Sequence, residues 1–346
     1  MKAVVNTRHG SVEVLRVENR PVPSPAKGQV RIRVAAAGLN PSEVNARQGM
    51  YPDAPPPPMV VGYEVAGIIE ALGEGVEGLA VGDRVWALCR FGGHAEVVCT
   101  AAGWARRMPD SLSFEAAAAI PVAYATAVIL ALDFGRIRNG DTVLLHMASG
   151  SVGLAVLQLC QQLPGVTVIG TASAGKHAAL AKLGLHHAID STTEDFEVRV
   201  RELTNGRGVD LVLDPVGGKN WKKNYRLLAP LGRLMVYGFS GATGPGKRSL
   251  MRAAWQLAHT PIWLPLTLME QNRAVMGLNM GRLFEETALI SRGLDTLARL
   301  AEEGTIAPQV DSVYPFSRVA EAHLRLESRR NLGKVVLVPD GLGALR

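Results

Sequence analysis

The stretch LLHMASGSVGLAVLQL, residues 144–159, constrains the fold more than any other. An apolar run leads into Ala148, Ser149, Gly150, Ser151, Val152 and Gly153, and a second apolar run follows at helical spacing. Small residues between a strand and a helix permit a tight turn, let the backbone approach a ligand, and leave the helix N-terminus free to hold negative charge. A pyrophosphate suits such a turn. Ala148, Gly150, Ser151, Val152 and Gly153 are therefore candidate dinucleotide contacts, with Ala148 where the usual fingerprint has its first glycine. A glycine-rich turn alone is equally a packing device, so the flanking pattern has to decide.

That pattern is strand–helix alternation. TVLLHMA, a helix through VGLAVLQLCQQL, TVIGTAS, a helix through KHAALAKLG, HAID, VDLVLDPVGG, GRLMVYGFS and AVMGLNM follow one another from about residue 123. The strands are continuously apolar, as parallel strands covered on both faces must be. A doubly wound α/β sheet is expected. Upstream, KAVVN, GQVRIRVAAAGL, VVGYEVAGIIEAL, GDRVWAL and HAEVVC are short β-branched runs parted by Gly, Pro and Asp, which predicts a β-rich domain. After residue 282 a helix, LDTLARLAEEG, and a strand, GKVVLVP, are too little for a third domain. The expected division of the 346 residues is a catalytic domain of 1–122 and 283–346 and a dinucleotide-binding domain of 123–282, with a cleft between them.

At the end of the second strand of such a unit, an acid normally bonds the ribose 2′-hydroxyl of NAD. Here Ser173 takes the acid's place and Lys176 follows, in GTASAGK. No carboxylate repels a 2′-phosphate and a cation is at hand to bind one, so NADPH is the expected cofactor. The alternative for Lys176 is a solvated helix lysine.

Lys and Arg exceed Asp and Glu by 37 to 31, a diffuse excess with only 5% aromatics, which fits an anionic small ligand and not a nucleic-acid groove. Cys89, Cys99 and Cys160 are isolated thiols without metal or redox spacing, so a reducing, cytoplasmic location is expected. The start, MKAVVNTRHG, is too polar for a secretory signal. Residues 116–132 and 250–268 are apolar but interrupted by proline, and the second also by Arg252 and His259. The first reads as core. The second reads as an exposed flap for dimer or lid packing, with membrane contact as its alternative.

ASGSVG, GYEVAG, VEGLAVGDRV, SFEAAAAIPVAYATA and DPVGG together resemble the medium-chain dehydrogenases/reductases of the quinone oxidoreductase type. Within that family GPGKRSLM, QNRAVMGLNMG, VDSVYPF and NLGKVVLVP look most like the vesicle amine transport protein homologue subgroup. The resemblance implies a GroES-like domain built from both chain ends, an inserted Rossmann domain, and NADPH-dependent hydride transfer to a quinone or an α,β-unsaturated carbonyl. Zinc-dependent members carry histidine where this chain has Tyr63 and cysteine where it has Asn40, and phenol and carboxamide are poor zinc ligands, so no metal is expected.

The resemblance assigns Asn40 and Tyr51 to catalysis, Tyr51 as a donor to the enolate; for both, the alternative is turn packing. Tyr63 is either catalytic or structural, and Glu64 is a hydrogen-bonded core acid. Thr126, Gly238, Phe239, Ser240 and Asn331 match positions near the cofactor. Asn45 and Ser191 depart from the family, which has tyrosine at both places in many members. The five histidines at 94, 146, 177, 186 and 187 read as core or surface residues, and Lys219, Lys222, Lys223 and Arg226 as a solvated basic face. A homodimer through AVMGLNM is expected. Two other functions stay open: a non-catalytic NADPH-fold protein that uses residues 250–268 to bind lipid, membrane or a partner, and a tailoring reductase on a complex natural product.

Overall fold

The computed structural model describes residues 1–242 and 250–341, so most of GPGKRSLM lies outside the described residues. Two compact units divide them, one of residues 1–125 with 281–341 and one of residues 126–242 with 250–280.

In the first unit β1 (Lys2–Asn6) pairs with β2 (Leu15–Asn19) and β4 (Met59–Val60). A larger sheet runs in the order β15 (Val310–Pro315), β16 (Lys334–Val338), β3 (Gln29–Leu39), β5 (Glu64–Leu72), β6 (Arg84–Leu88) and β8 (Ala105–Arg107), and β7 (Val97–Ala101) also pairs with β3. Three helices accompany it: α1 (Pro41–Arg47), α2 (Phe114–Ala117) and α10 (Thr287–Glu302). The crossover α11 (Val319–Glu327) joins the parallel pair β15 and β16. The two chain ends thus meet in one sheet, the GroES-like arrangement.

The sequence of β3 shows why it lies in the middle. QVRIR alternates apolar and polar, with Arg33 paired to Glu70, and from Val34 every residue is buried. Strand pairing on both sides and cover on both faces leave no place for a polar side chain there. Val30, Ile32, Val34, Val65, Ile69 and Val85 form one core, and Val4, Leu39, Phe316, Val335 and Leu337 another. Each such side chain stabilises by about 1.5–3 kcal/mol.

Leading into the second unit is α3 (Pro121–Val128). Its sheet has the order β11 (His187–Asp190), β10 (Thr167–Ala172), β9 (Thr142–Leu145), β12 (Val209–Asp214), β13 (Leu228–Val236) and β14 (Ala274–Gly277), with every pairing parallel. The first strand in sequence lies beside the fourth, and the order runs outward from that point on both sides. This is the Rossmann order, and ligands of such sheets bind where the winding reverses, at the carboxyl ends of β9 and β12. The helices are α4 (Ser151–Cys160), α5 (His177–Lys182), α6 (Phe196–Leu203), α7 (Lys219–Arg226), α8 (Leu250–Ala258) and α9 (Pro265–Gln271).

The face of α7 differs from expectation. Lys223 pairs with Asp195 and Arg226 with Glu197 at the start of α6, so half of the supposed solvated basic face joins two helices. The flap is two short helices. Trp263 and Leu268 pack against the core, while Met251, Leu257, Ile262, Leu264, Leu266 and Met269 are exposed. No described helix is long and apolar enough to cross a membrane.

Candidate functional site

In the second unit the turn after β9 is held in shape from three directions. Met147 takes a left-handed conformation, φ 55°. The Met147 N–H donates to Thr171 Oγ1 at 3.3 Å and the Ala148 N–H to the Thr171 carbonyl at 3.1 Å, tying the turn to β10. Behind it the buried His146 bridges Thr171 Oγ1 (3.1 Å) and Asn224 Oδ1 (2.8 Å). Asn224 Nδ2 donates to Asp214 at 2.6 Å, which fixes its amide and makes Oδ1 the acceptor. His146 therefore carries its proton on Nε2 and accepts from the Thr171 hydroxyl on Nδ1. One chain of hydrogen bonds thus runs from β10 through β9 to β12.

Gly150 caps α4 and Gly153 lies in its first turn. A Cβ on Gly153 would sit 2.7 Å from the carbonyl oxygens of Met147 and Ala148, so only glycine permits this closeness, whereas one on Gly150 would meet nothing nearer than 3.3 Å. Ala148 is tolerated because its methyl is buried against Gly170. Ser151 and Val152 are half-buried at the start of α4. The β10 strand ends at Ala172, Ser173 then caps a short turn holding Lys176, and Lys176 Nζ donates to Ser149 Oγ at 3.0 Å. The candidate cation thus lies at the glycine-rich turn itself. Ser149 escaped the sequence reading; its place between Ala148 and Gly150 was the available signal.

Gly238, Phe239 and Ser240 follow β13. A Cβ on Gly238 would meet the Pro215 carbonyl oxygen at 2.8 Å, the Phe239 ring packs on Trp221 with centroids 5.6 Å apart, and Ser240 Oγ reaches Met147 Sδ at 3.5 Å. Ser240 therefore reaches the turn, while Gly238 and Phe239 pack beside Pro215 and Trp221. Thr126 is buried on α3.

In the first unit the register of three strands sets up a second cluster. Leu39 of β3 faces Val335 of β16, Ala37 faces Val65 of β5, and Lys334, Asn40 and Glu64 come together at the strand ends. Gly38 makes the space, because a Cβ there would lie 2.3 Å from Glu64 Oε1. Lys334 Nζ donates to Asn40 Oδ1 at 2.7 Å and to Glu64 Oε1 at 2.5 Å, and the Val122 N–H donates to Glu64 Oε2 at 2.7 Å. Asn40 begins α1 with Pro41 behind it and Glu43 at the third position, a capping box in which the Asn40 N–H donates to Glu43 Oε2 at 3.0 Å. Glu43, Glu64 and Lys334 are all buried. Burial pushes the Glu43 carboxyl up to about 7, with the Ser42 hydroxyl opposing and the Glu64 charge adding to the rise.

This geometry gives the Asn40 amide three partners. An ammonium only donates, so Asn40 Oδ1 must face Lys334, and Nδ2 then donates to Glu64 (2.8 Å) and Glu43 (3.3 Å). The amide that the resemblance assigns to catalysis is held by Lys334, Glu64 and Glu43. Glu64 is the hydrogen-bonded core acid that the sequence suggested. Asn331 is buried in the turn before β16, with Nδ2 donating to the Gly333 carbonyl at 2.8 Å.

Tyr63 lies in an aromatic group that sequence order conceals. Its ring is 6.0 Å from Tyr51 edge-on, 5.0 Å from Phe91 and 6.3 Å from Phe284, and Trp104 stands 5.2 Å from Phe284. The Tyr63 hydroxyl is buried and lies near the Tyr51 hydroxyl, though no hydrogen bond of normal geometry joins it to a partner. Burial raises the proton affinity of both phenols.

Comparison with known proteins can now be set beside this geometry. The family model for zinc-binding dehydrogenase matches residues 183–337, and that for the alcohol dehydrogenase GroES-like domain matches residues 26–133. The donors do not fit a zinc ion: position 40 offers an amide, position 63 a phenol, and the nearest carboxylate is held by an ammonium. No group of three or more His, Cys, Asp or Glu among the described residues has the geometry to hold a metal. Over 342 residues, 98% of this chain and 84% of the relative, the sequence is 42% identical to the synaptic vesicle membrane protein VAT-1 homolog of Rattus norvegicus. It is 31% identical to the quinone oxidoreductase of the same organism over 343 residues, 98% of each chain. The Escherichia coli quinone oxidoreductase complexed with NADPH superposes with a TM-score of 0.86 at 28% identity, covering 98% of this chain and 100% of that one. With one fold and near-complete coverage, the chain belongs to the medium-chain dehydrogenase/reductase family, alongside the quinone oxidoreductases and the VAT-1 homologs.

Proposed function

We propose that the protein is an NADPH-dependent reductase that delivers hydride to a quinone or an α,β-unsaturated carbonyl without zinc. The observation that carries this reading is the Lys176 ammonium on Ser149 of the glycine-rich turn, with Ser173 where an NAD enzyme has its acid. Ser173 and Lys176 would hold the 2′-phosphate, and the open N-terminus of α4 at Gly150, Ser151, Val152 and Gly153 would hold the pyrophosphate beside Ala148. Thr126, Gly238, Phe239, Ser240 and Asn331 are proposed as further cofactor contacts.

The cofactor supplies the hydride; the protein has to orient the acceptor and give a proton. Tyr51 is the proposed donor; a phenol is neutral at physiological pH, and its partial burial raises its proton affinity further. Phe91 and Trp104, half-buried over the buried Tyr63 and Phe284, offer flat apolar surface of the kind that suits a conjugated acceptor. Asn40 acts through position alone. The protein is proposed to be a cytoplasmic homodimer, joined through the open edge of β14.

Titration with NADPH and with NADH, followed by tryptophan fluorescence, tests the base of this reading, and binding of neither nucleotide would sink it. Loss of reduced-nicotinamide absorbance on adding quinones and enones tests the chemistry. Tyr51→Phe should slow it about 100–10,000-fold with NADPH binding kept. The exposed apolar residues of α8 and α9 favour a second reading, a protein that docks on lipid or a partner through that face. Liposome co-sedimentation lost in Leu266→Ser, with no turnover on any acceptor, would select it.

A further inference from the structure

The hydrogen bonds behind the glycine-rich turn all point one way. The Met147 N–H donates to Thr171 Oγ1, and the Thr171 hydroxyl donates to His146 Nδ1 at 3.1 Å. His146 Nε2 donates to Asn224 Oδ1 at 2.8 Å, and Asn224 Nδ2 to Asp214 Oδ2 at 2.6 Å. The direction is set at both ends, by a backbone N–H that only donates and a carboxylate that accepts. His146, Thr171, Asn224 and Asp214 are all buried, and Phe196 braces the His146 ring edge-on from 4.8 Å.

The chain joins loops that a nucleotide would have to fit between. Met147 opens the turn after β9. Asp214 ends β12, and its Oδ1 accepts the N–H groups of Val216 and Gly217 in the next loop. That loop in turn holds the one after β13, because the Pro215 and Val216 carbonyls accept the N–H groups of Ser240 and Gly241 at 2.9 and 2.8 Å. Three loops at the carboxyl ends of adjacent parallel strands are thus set by one row of buried side chains, with His146 in its middle.

We propose that His146 is a positioning residue for the dinucleotide site, setting the turn after β9 through Thr171 and the loop after β12 through Asn224 and Asp214. The inference rests on the reading that this turn holds the nucleotide. A residue that shapes backbone serves NADPH and NADH alike, since both carry the pyrophosphate, and in this His146 differs from Lys176.

Nucleotide affinity tests it. Thr171→Val removes one link of the chain and should weaken NADPH and NADH about tenfold each in fluorescence titration, whereas Thr171→Ser keeps the hydroxyl and should bind both as the wild type does. His146→Phe should cost a similar factor, and its combination with Thr171→Val no more than the larger single loss, because both break the same chain. Fully additive losses, a loss confined to NADPH, or equal binding by Thr171→Val and Thr171→Ser overturns the proposal. Should His146→Phe fail to fold, the two Thr171 variants decide. If the wild type binds neither nucleotide, the underlying reading falls and the proposal with it, a result distinct from a wild type that binds while its variants bind equally well. Histidine ¹⁵N spectra add a readout free of nucleotide. His146 should carry its proton on Nε2, and a proton on Nδ1 would reverse the chain and overturn the proposal.

Discussion

The two units hold charge at their strand ends by opposite means. In the second, backbone N–H groups and small residues around Gly150 and Gly153 leave a surface open to an anion, with one lysine at its rim. In the first, Glu43, Glu64, Lys334 and Asn40 close on one another and are sealed from water. An open backbone site asks little of side chains and much of local geometry. A closed side-chain site asks each partner to be present, because any one left alone is a desolvated charge.

Removing the ammonium should therefore produce the largest effect. Lys334→Met should destabilise the protein by about 3–5 kcal/mol in urea unfolding, and adding Glu64→Gln should recover part of that loss. If Lys334→Met costs no more than a surface substitution, the cluster is not closed and the contrast fails.

Acidity sharpens the same point. The Glu43 carboxyl rises from its ordinary value of 4.5 to about 7 on folding, so the folded state holds its proton more tightly. Stability from this group is complete below about pH 4.5 and is lost as pH rises through about 7, a few kcal/mol by linkage. Measured from pH 4 to 8, the stability of the wild type should fall relative to Glu43→Gln across that window. Parallel curves would show that Glu43 does not titrate there.

In the open site the expected losses are smaller and fall on binding. Gly153→Ala places a methyl 2.7 Å from two carbonyl oxygens and should weaken NADPH binding at least about tenfold, close to 1.4 kcal/mol, in fluorescence titration. Lys176→Ala should cost about as much for NADPH and nothing for NADH. Equal losses for both nucleotides would make Lys176 a structural residue. Smallest of all, Tyr63→Phe removes a buried hydroxyl without a regular hydrogen bond and should change stability by less than about 1 kcal/mol.

The same contrast explains what the sequence disclosed. The turn after β9 was legible because its determinants are neighbours: small residues, an apolar strand before them and a helix after them. The alternation of strands and helices gave the winding of the second unit for the same reason. The acid–lysine cluster was not legible, since Glu64 and Lys334 are 270 residues apart and nothing in GYEVAG or NLGKVVLVP points from one to the other. One piece was within reach: Asn40, Pro41 and Glu43 spell the start of a capped helix, which places the Glu43 carboxyl back at Asn40. The His146 chain had no such signal, because Asn224 lies 78 residues on. The aromatic group around Tyr63 needed Phe284, from the far side of the inserted unit.

The separation of 270 residues between Glu64 and Lys334 also sets an order of events in the cell. At 5–20 residues per second, a ribosome that has released Glu64 takes roughly 15–50 s to supply its lysine. Throughout that interval the half-built sheet has a carboxylate with no counter-charge and β3 with no β16 beside it. The inserted unit has every strand of its own sheet before then. During synthesis the nucleotide-binding half is thus complete first, and the nascent GroES-like half stays open for chaperones until the last strand arrives.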